Sequence, residues 1–147
     1  MVQPLKPQPQ NPEDYRQFFE VLLQVAADHG DDGAAQTRAV HGFLRQYLAY
    51  LGEPLGGVMA QWGEVLREGE PEQAVGQMGL LVQVMEDLRA FPLGKVAENR
   101  ELAIVGCGIA LTVLTCHDFP KDWARTQYGL ATAYQERIRG NRGDNLE

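Results

Sequence analysis

Three consecutive residues, Cys116, His117 and Asp118, carry side chains that nucleophilic catalysis and metal binding use. A thiol beside an imidazole can form a nucleophile and its base, and both groups bind zinc. Nucleophile and base are rarely adjacent in sequence, however, and zinc needs three or four convergent ligands. The other histidines, His29 and His41, show no ligand spacing. The sequence therefore predicts a polar loop here, with Asp118 capping the next helix.

A glycine pair, Gly106 and Gly108, resembles the start of a dinucleotide-binding loop. The third glycine of G-x-G-x-x-G would fall at position 111, which is Leu111, and only 36 residues follow. That is too short for the strands that such a fold needs. We expect the pair to serve helix packing. If a neighbouring helix crosses closely, the glycines allow it, and if none does, they weaken the helix by about 1 kcal/mol each relative to alanine.

Charged clusters occur at predicted helix ends and turns. Paired catalytic carboxylates need a shared cleft and shifted pKa values, whereas solvated capping explains acidic residues at helix starts. These acidic groups are Glu13/Asp14, Asp31/Asp32 and Glu68/Glu70/Glu72. A basic group, Arg137, Arg139 and Arg142, is expected to offset the macrodipole at the C-terminus of the last helix, or to contact an acidic partner. The sequence thus predicts no enzyme, no cofactor and no metal site.

The charge balance excludes other classes of protein. The net charge is −7, and residues 1–98 carry 14 acidic against 7 basic side chains, while residues 119–147 carry 4 against 5. Nucleic acid and anionic membranes favour basic surfaces, so neither is expected as a partner. The N-terminus has no apolar signal-peptide region, and no apolar run is long enough to span a bilayer. The two cysteines are expected to be free, mostly buried thiols, which suits the cytoplasm.

The hydrophobic periodicity predicts an all-α protein of about six helices. We expect helix 1 to start at Asn11-Pro12 and to run to about His29, and helix 2 to continue to Leu51. Helix 3 starts at Pro54 and helix 4 after Pro71, followed by helix 5 over about Asn99–Thr115 and helix 6 over about Lys121–Ile138. The predicted organisation is a flexible leader (1–10), an N-terminal helical bundle (11–94) and a helical hairpin (95–147).

The end of the chain repeats part of an earlier pattern. A polar Gly/Asn/Arg turn is expected to close helix 6, and four of its positions match residues 46 earlier: Gly94, Glu98, Asn99 and Glu101 against Gly140, Asp144, Asn145 and Glu147. A period in this range is typical of stacked helical hairpins. Such arrays usually bind other proteins.

The stretch FP-x-x-WA-x-TQ-x-x-LA-x-AY-x-x-RIRG-x-R-x-x-NLE, residues 119–147, closely resembles the tetratricopeptide-like (TPR) repeat of long bacterial repeat proteins. The stretches FPLGKVAENRELAI (91–104) and LTVLTCHDFP (111–120) resemble the segment before their first repeat. Such arrays often lead to a caspase-like (CHAT) protease domain, none of whose catalytic residues can be placed here. The repeat is opened at residue 119 and is incomplete at Glu147.

The resemblance assigns packing roles. Ala103, Cys107 and Ala110 fit the second helix of a repeat, with cysteine where an aromatic residue is usual. The set Leu130, Ala131 and Tyr134 fits the Leu-Gly-x-x-Tyr core of a first helix, with alanine for glycine. Tyr128 and Gly129 replace two common asparagines.

The resemblance also implies a partner-binding groove on the inner face of helix 6. Its candidate residues are Arg125, Tyr128, Thr132, Gln135 and Glu136. An arginine, a tyrosine and amide or hydroxyl groups suit the capture of a peptide or a helix. The predicted function is a non-catalytic protein-interaction or capping module at the head of a TPR-type scaffold, in signalling or protease regulation. The alternative is a self-assembly element that forms a homodimer through the open face of helix 6.

Overall fold

The computed structural model describes residues 4–146, and side chains up to Arg139. Within this range the chain forms six α-helices and one 3₁₀ helix and has no strand, which confirms the predicted all-α fold. The helices are α1 (Pro12–Asp28), α2 (Gly33–Gln46), the 3₁₀ helix (Leu48–Tyr50), α3 (Glu53–Glu68), α4 (Pro71–Ala90), α5 (Val96–Leu111) and α6 (Pro120–Leu146).

The starts of the first helices follow from local sequence chemistry. The side chain of Asn11 accepts a hydrogen bond from the Asp14 N–H at 3.0 Å, which confirms the expected cap of α1. Asp32 caps α2 by accepting from two backbone N–H groups, at 3.0 and 3.2 Å. A proline stands in the first turn of α1, α3 and α4. Proline has no N–H group, and an N–H at such a position would have no acceptor within the helix.

Residues 4–10 form no helix but contact the rest of the molecule. The Tyr50 hydroxyl donates to the backbone carbonyl of Lys6 at 2.8 Å. The Gln10 N–H donates to the Asp14 carboxylate at 2.8 Å, and the Lys6 ammonium lies 3.4 Å from the same side chain. The Gln10 hydrogen bond is the main reason that the pKa of Asp14 lies below its ordinary value. These contacts link the segment to α1 and to the 3₁₀ helix.

The predicted end of helix 2 is wrong. The α-helix stops at Gln46, and the chain then tightens into the 3₁₀ helix, so the expected stripe to Leu51 is interrupted. This turn places Tyr50 against Phe18, with ring centroids 4.6 Å apart, and leaves Leu48 39 % exposed. Burial of the large Tyr50 side chain stabilises the tighter turn, because aromatic residues contribute most of the apolar area of a small core.

A single cluster of buried residues joins the helices. Helix α1 packs on α2 and α3, while α5 packs on α3, α4 and α6. The largest fully buried side chains are Phe18, Phe19, Leu22, Leu44, Tyr50, Leu55, Met59, Met78, Leu81, Met85, Leu88 and Phe91. The same cluster includes Leu102, Cys107 and Leu114, so α5 and the loop after it share the core of the preceding helices.

The predicted end of helix 6 is also wrong. Helix α6 does not stop at Ile138 but continues to Leu146, through the expected Gly/Asn/Arg turn. Isolated glycines destabilise a helix by about 1 kcal/mol each without ending it. Gly94 lies between α4 and α5 and has a φ of 74°, whereas its counterpart Gly140 lies within a helix. The two segments that match at 46 residues therefore differ in backbone conformation.

The two glycines of α5 have different environments. A Cβ atom added at Gly106 would overlap the side chain of Met85 on α4, so the close helix crossing requires this glycine. A Cβ atom at Gly108 would meet nothing within 4 Å. A third glycine, Gly63 on α3, lies where a Cβ atom would come within 2.6 Å of Ile109. Helix α5 is thus closely approached from two sides.

Gly106→Ala and Gly108→Ala form a matched pair. Gly106→Ala should lower the free energy of unfolding by about 0–2 kcal/mol, since overpacking of the crossing costs about 1–3 kcal/mol and helix propensity returns about 1 kcal/mol. Gly108→Ala should raise it by about 1 kcal/mol through helix propensity. Urea unfolding followed by circular dichroism measures both. Equal stability of the two variants would contradict the close contact at Gly106.

Candidate interaction surface

Helix α6 is held on α5 by a face of small side chains. Thr126, Gly129 and Ala133 are buried, and a Cβ atom at Gly129 would lie 3.9 Å from the Cys107 sulfur. Leu130 is partly buried against the core, as expected. Small residues at a spacing of three and four let the helices approach closely. This face fixes the orientation of the other side chains on α6 up to Arg139.

The expected inward positions of Ala131 and Tyr134 are wrong. Ala131 is exposed and Tyr134 is 42 % exposed, because the face that packs on α5 is rotated away from them. Successive positions on a helix turn by about 100°, so a face built on Thr126, Gly129 and Ala133 leaves Ala131 and Tyr134 outside.

Two of the five predicted groove residues form ion pairs with neighbouring helices. The Arg125 guanidinium donates to both carboxylate oxygens of Glu86 on α4, at 2.7 and 2.8 Å, and this hydrogen bonding raises the pKa of Arg125. Glu136 accepts from Arg89 at 3.2 Å and lies 3.8 Å from Arg100. Partly exposed pairs of this kind contribute about 0–1 kcal/mol each. These two residues connect α6 to α4 and α5.

The other three predicted residues face outward. Tyr128 is 72 % exposed, and Gln135 is exposed as well. Thr132 donates its hydroxyl hydrogen to the carbonyl of Tyr128 at 2.8 Å, within its own helix. The structure therefore brings all five residues to one side of α6, but only Tyr128 and Gln135 have free polar groups to offer a partner.

An exposed apolar face runs along α6, and the sequence interpretation missed it. We name it the α6 stripe, and its residues are Ala124, Tyr128, Ala131, Tyr134 and Ile138. They follow one another at spacings of four, three, three and four, which places them on one side of the helix. Ile138 is 52 % exposed. The spacing was visible in the sequence, but Ala131 and Tyr134 were assigned to the core and Tyr128 to a polar groove.

Arg137 lies at the edge of the stripe. Its guanidinium carbon lies 5.0 Å from the centre of the Tyr134 ring, and two of its nitrogens donate to one oxygen of Glu101, at 3.1 and 2.6 Å. The hydrogen bonds to Glu101 raise the pKa of Arg137. The expected macrodipole role for Arg137 is wrong, because α6 continues for nine residues beyond it and the effect is limited to the last turn. The side chain of Arg142 lies outside the described residues.

The side chains that could act in catalysis or bind a metal do not form a common site. Cys116, His117 and Asp118 are exposed in the loop between α5 and α6. Asp118 shares hydrogen bonds with Thr115, at 3.3 and 3.4 Å, instead of capping α6. Within the described part of the chain, no group of three or more His, Cys, Asp or Glu side chains is arranged to hold a metal ion.

The two thiols are free, but only one is buried as expected. Cys107 lies in the core, and burial raises its pKa to about 11, so the thiolate nucleophile is suppressed. Cys116 is exposed, contrary to the expectation of mostly buried thiols. Within the described residues, neither thiol makes a hydrogen bond to a base that would activate it.

A buried carboxyl group lies between α2 and α4. Asp87 accepts a hydrogen bond from the Thr37 hydroxyl at 2.6 Å, and its backbone carbonyl lies 2.7 Å from His41 Nε2. Its second carboxylate oxygen is buried without a hydrogen-bond partner among the described residues. Desolvation raises the pKa of Asp87, and the hydrogen bond from Thr37 opposes this shift. The group therefore links α2 to α4.

Comparisons of the chain with protein-family models, with curated proteins and with solved structures found no match. The resemblance to TPR-type arrays therefore stays a prediction. None of the helices in the described residues combines the length and the apolar character needed to cross a bilayer.

Asp87→Asn should stabilise the protein near neutral pH, because a buried neutral amide is less costly than a buried carboxylate, and the Thr37 hydrogen bond is retained. A raised pKa in the folded state means that protonated Asp87 stabilises the fold at low pH, and that this contribution is lost as pH rises through the folded pKa. The advantage of the variant should therefore shrink on acidification. Urea unfolding at several pH values measures this difference, with Asp31→Asn, at an exposed turn, as the control. A stability difference between Asp87→Asn and the unchanged protein that does not vary with pH would contradict the raised pKa of Asp87.

Proposed function

We propose that this chain is a non-catalytic protein-interaction or capping module that opens a TPR-type helical array. The α6 stripe is its docking face, and its partner is an amphipathic helix. The observation that carries the proposal is the two-sided character of α6: Thr126 and Ala133 are buried against α5, while Tyr128 and Ile138 are 72 % and 52 % exposed. Contiguous exposed apolar side chains commonly mark interaction sites.

The composition of the stripe supports a helix as the partner. In a chain with a net charge of −7, none of its five residues carries a charge. Ala131 at its centre allows a second backbone to approach closely, and the tyrosines combine a large apolar area with a polar group at the rim. An amphipathic helix presents apolar side chains at the same spacing of three and four residues.

The arrangement of the last three helices supports the array assignment. Helix α5 packs on both α4 and α6, and ion pairs from Arg125 and Glu136 join α6 to α4. Stacked hairpins of this kind bury their remaining faces on the next unit. In this proposal the protein acts in the cytoplasm as a signalling or protease-regulatory scaffold, and its partner is a protein and not nucleic acid or a membrane.

Site-specific photo-crosslinking tests the docking face. A photoreactive phenylalanine analogue replaces Tyr128, or Val65 on α3 as an exposed apolar control. In extract of the source organism, position 128 should give an adduct whose partner peptide, identified by mass spectrometry, is an amphipathic helix. Ala131→Glu should remove that adduct by placing a charge in the stripe. The proposal fails if position 128 gives no adduct, or if both positions give the same ones.

A specific symmetry of the stripe favours self-assembly as a second candidate function. Tyr128 and Tyr134 lie three residues on either side of Ala131, and Ala124 and Ile138 lie seven residues on either side. In an antiparallel pair of α6 helices centred on Ala131, the small Ala124 of one copy would oppose the large Ile138 of the other. Such a twofold interface is self-complementary.

Sedimentation equilibrium from micromolar to millimolar concentration separates this candidate from the first. A homodimer predicts association that Ala131→Glu reduces at least tenfold, because two carboxylates would meet at the twofold axis. Ala34→Glu, at an exposed position in the first turn of α2, should have no effect. A monomer throughout this concentration range would exclude self-assembly through α6.

A further inference from the structure

A second apolar groove lies between α3 and α5, apart from the α6 stripe. It has a volume of about 300 Å³ and is lined by Glu53, Gly56, Glu98, Glu101, Leu102 and Val105. The apolar residues form its floor, and the three glutamates form its rim. Within this lining Val105 is 40 % exposed, whereas Gly56 and Leu102 are buried.

A glycine keeps the floor open. A Cβ atom at Gly56 would lie 3.7 Å from Leu102 and 3.8 Å from Val105, which is ordinary contact distance. Alanine would therefore fit at this position without strain and would partly fill the groove. Helix α3 instead has glycine, and Val105 on α5 stays 40 % exposed while Leu102 is buried.

The groove extends toward the 3₁₀ helix. A neighbouring depression of about 330 Å³ is lined by Leu48, Ala49, Leu51, Gly52, Gly94, Lys95 and Glu98. The two share Glu98, and Leu48 in the second depression is 39 % exposed. We name the pair the α3–α5 groove. An elongated apolar tract of this form suits a peptide segment better than a compact small molecule.

The negative charges of the three glutamates determine which ligands the groove can bind. Glu53 has no ion-pair partner within the described part of the chain, and Glu98 meets only the exposed Lys95, at 3.9 Å. Glu101 is held by Arg137 and is less available. A cation from outside can therefore pair with Glu53 and Glu98, whereas an anion would be repelled.

We propose that the α3–α5 groove binds an amphipathic segment of a partner protein that carries lysine or arginine beside apolar residues. The apolar side chains of the segment lie on Val105, which is the exposed apolar side chain between the glutamates. Its cations pair with Glu53 and Glu98. This site is separate from the α6 stripe and does not depend on the function proposed for that stripe.

Fluorescence anisotropy of a labelled leucine/lysine amphipathic peptide tests the proposal on the intact chain. The double variant Glu53→Gln/Glu98→Gln should weaken binding at least tenfold. Glu64→Gln/Glu72→Gln makes the same change in net charge on exposed residues outside the groove, and should change binding less than twofold. Val105→Thr, which keeps the shape but adds a hydroxyl to the floor, should also weaken binding, whereas Val65→Thr should not.

Three results would overturn the assignment. The first is equal weakening by both glutamine pairs, which would mean that the peptide responds only to the overall acidity. The second is equal binding of a leucine/glutamate peptide of the same length. The third is no binding of the leucine/lysine peptide at millimolar protein, with circular dichroism showing that the protein is folded.

Discussion

The structure depends on the close packing of α5 between its neighbours. At Gly106 the helix meets Met85 of α4, and at Ile109 it meets Gly63 of α3, with no room for a further methyl group at either glycine. These contacts bury α5 on several sides, and its buried residues include Leu102, Cys107 and Ala110. Because protein interiors are packed as densely as organic crystals, such crossings fix helix positions to within a fraction of an ångström. Helix α5 therefore sets the geometry of α3, α4 and α6, on which it packs.

Both proposed binding surfaces follow from this position of α5. One side of α5 holds α6 through small residues and so turns the large side chains of the α6 stripe to solvent. Another side faces α3 at Gly56, where Val105 of the α3–α5 groove remains 40 % exposed. The surfaces differ in electrostatics, since the stripe is uncharged and the groove has a rim of glutamates. They would select different partners, one by apolar shape and the other by charge.

The sequence was sufficient to predict the all-α fold, the six helices and the start of α1 at Asn11, because caps, prolines and periodicity act locally. It was not sufficient for the ends of α2 and α6. The 3₁₀ turn at Tyr50 depends on contact with Phe18, which is distant in sequence. A glycine such as Gly140 destabilises a helix by about 1 kcal/mol but does not by itself end it. Helix α6 has two apolar faces, and the larger residues, including Tyr134, suggested the core, whereas close approach to Cys107 requires the smaller ones.

The measurement that most directly tests this account is native-state hydrogen exchange of the backbone amides of α5. If α5 is the packed centre of the molecule, its amides between Leu102 and Ala110 should exchange only through global unfolding, with a free energy equal to that from urea unfolding. The backbone amides of the stripe residues on α6 should exchange with a lower free energy of opening. Exchange of the α5 amides as fast as that of the α6 amides would contradict the central role of α5.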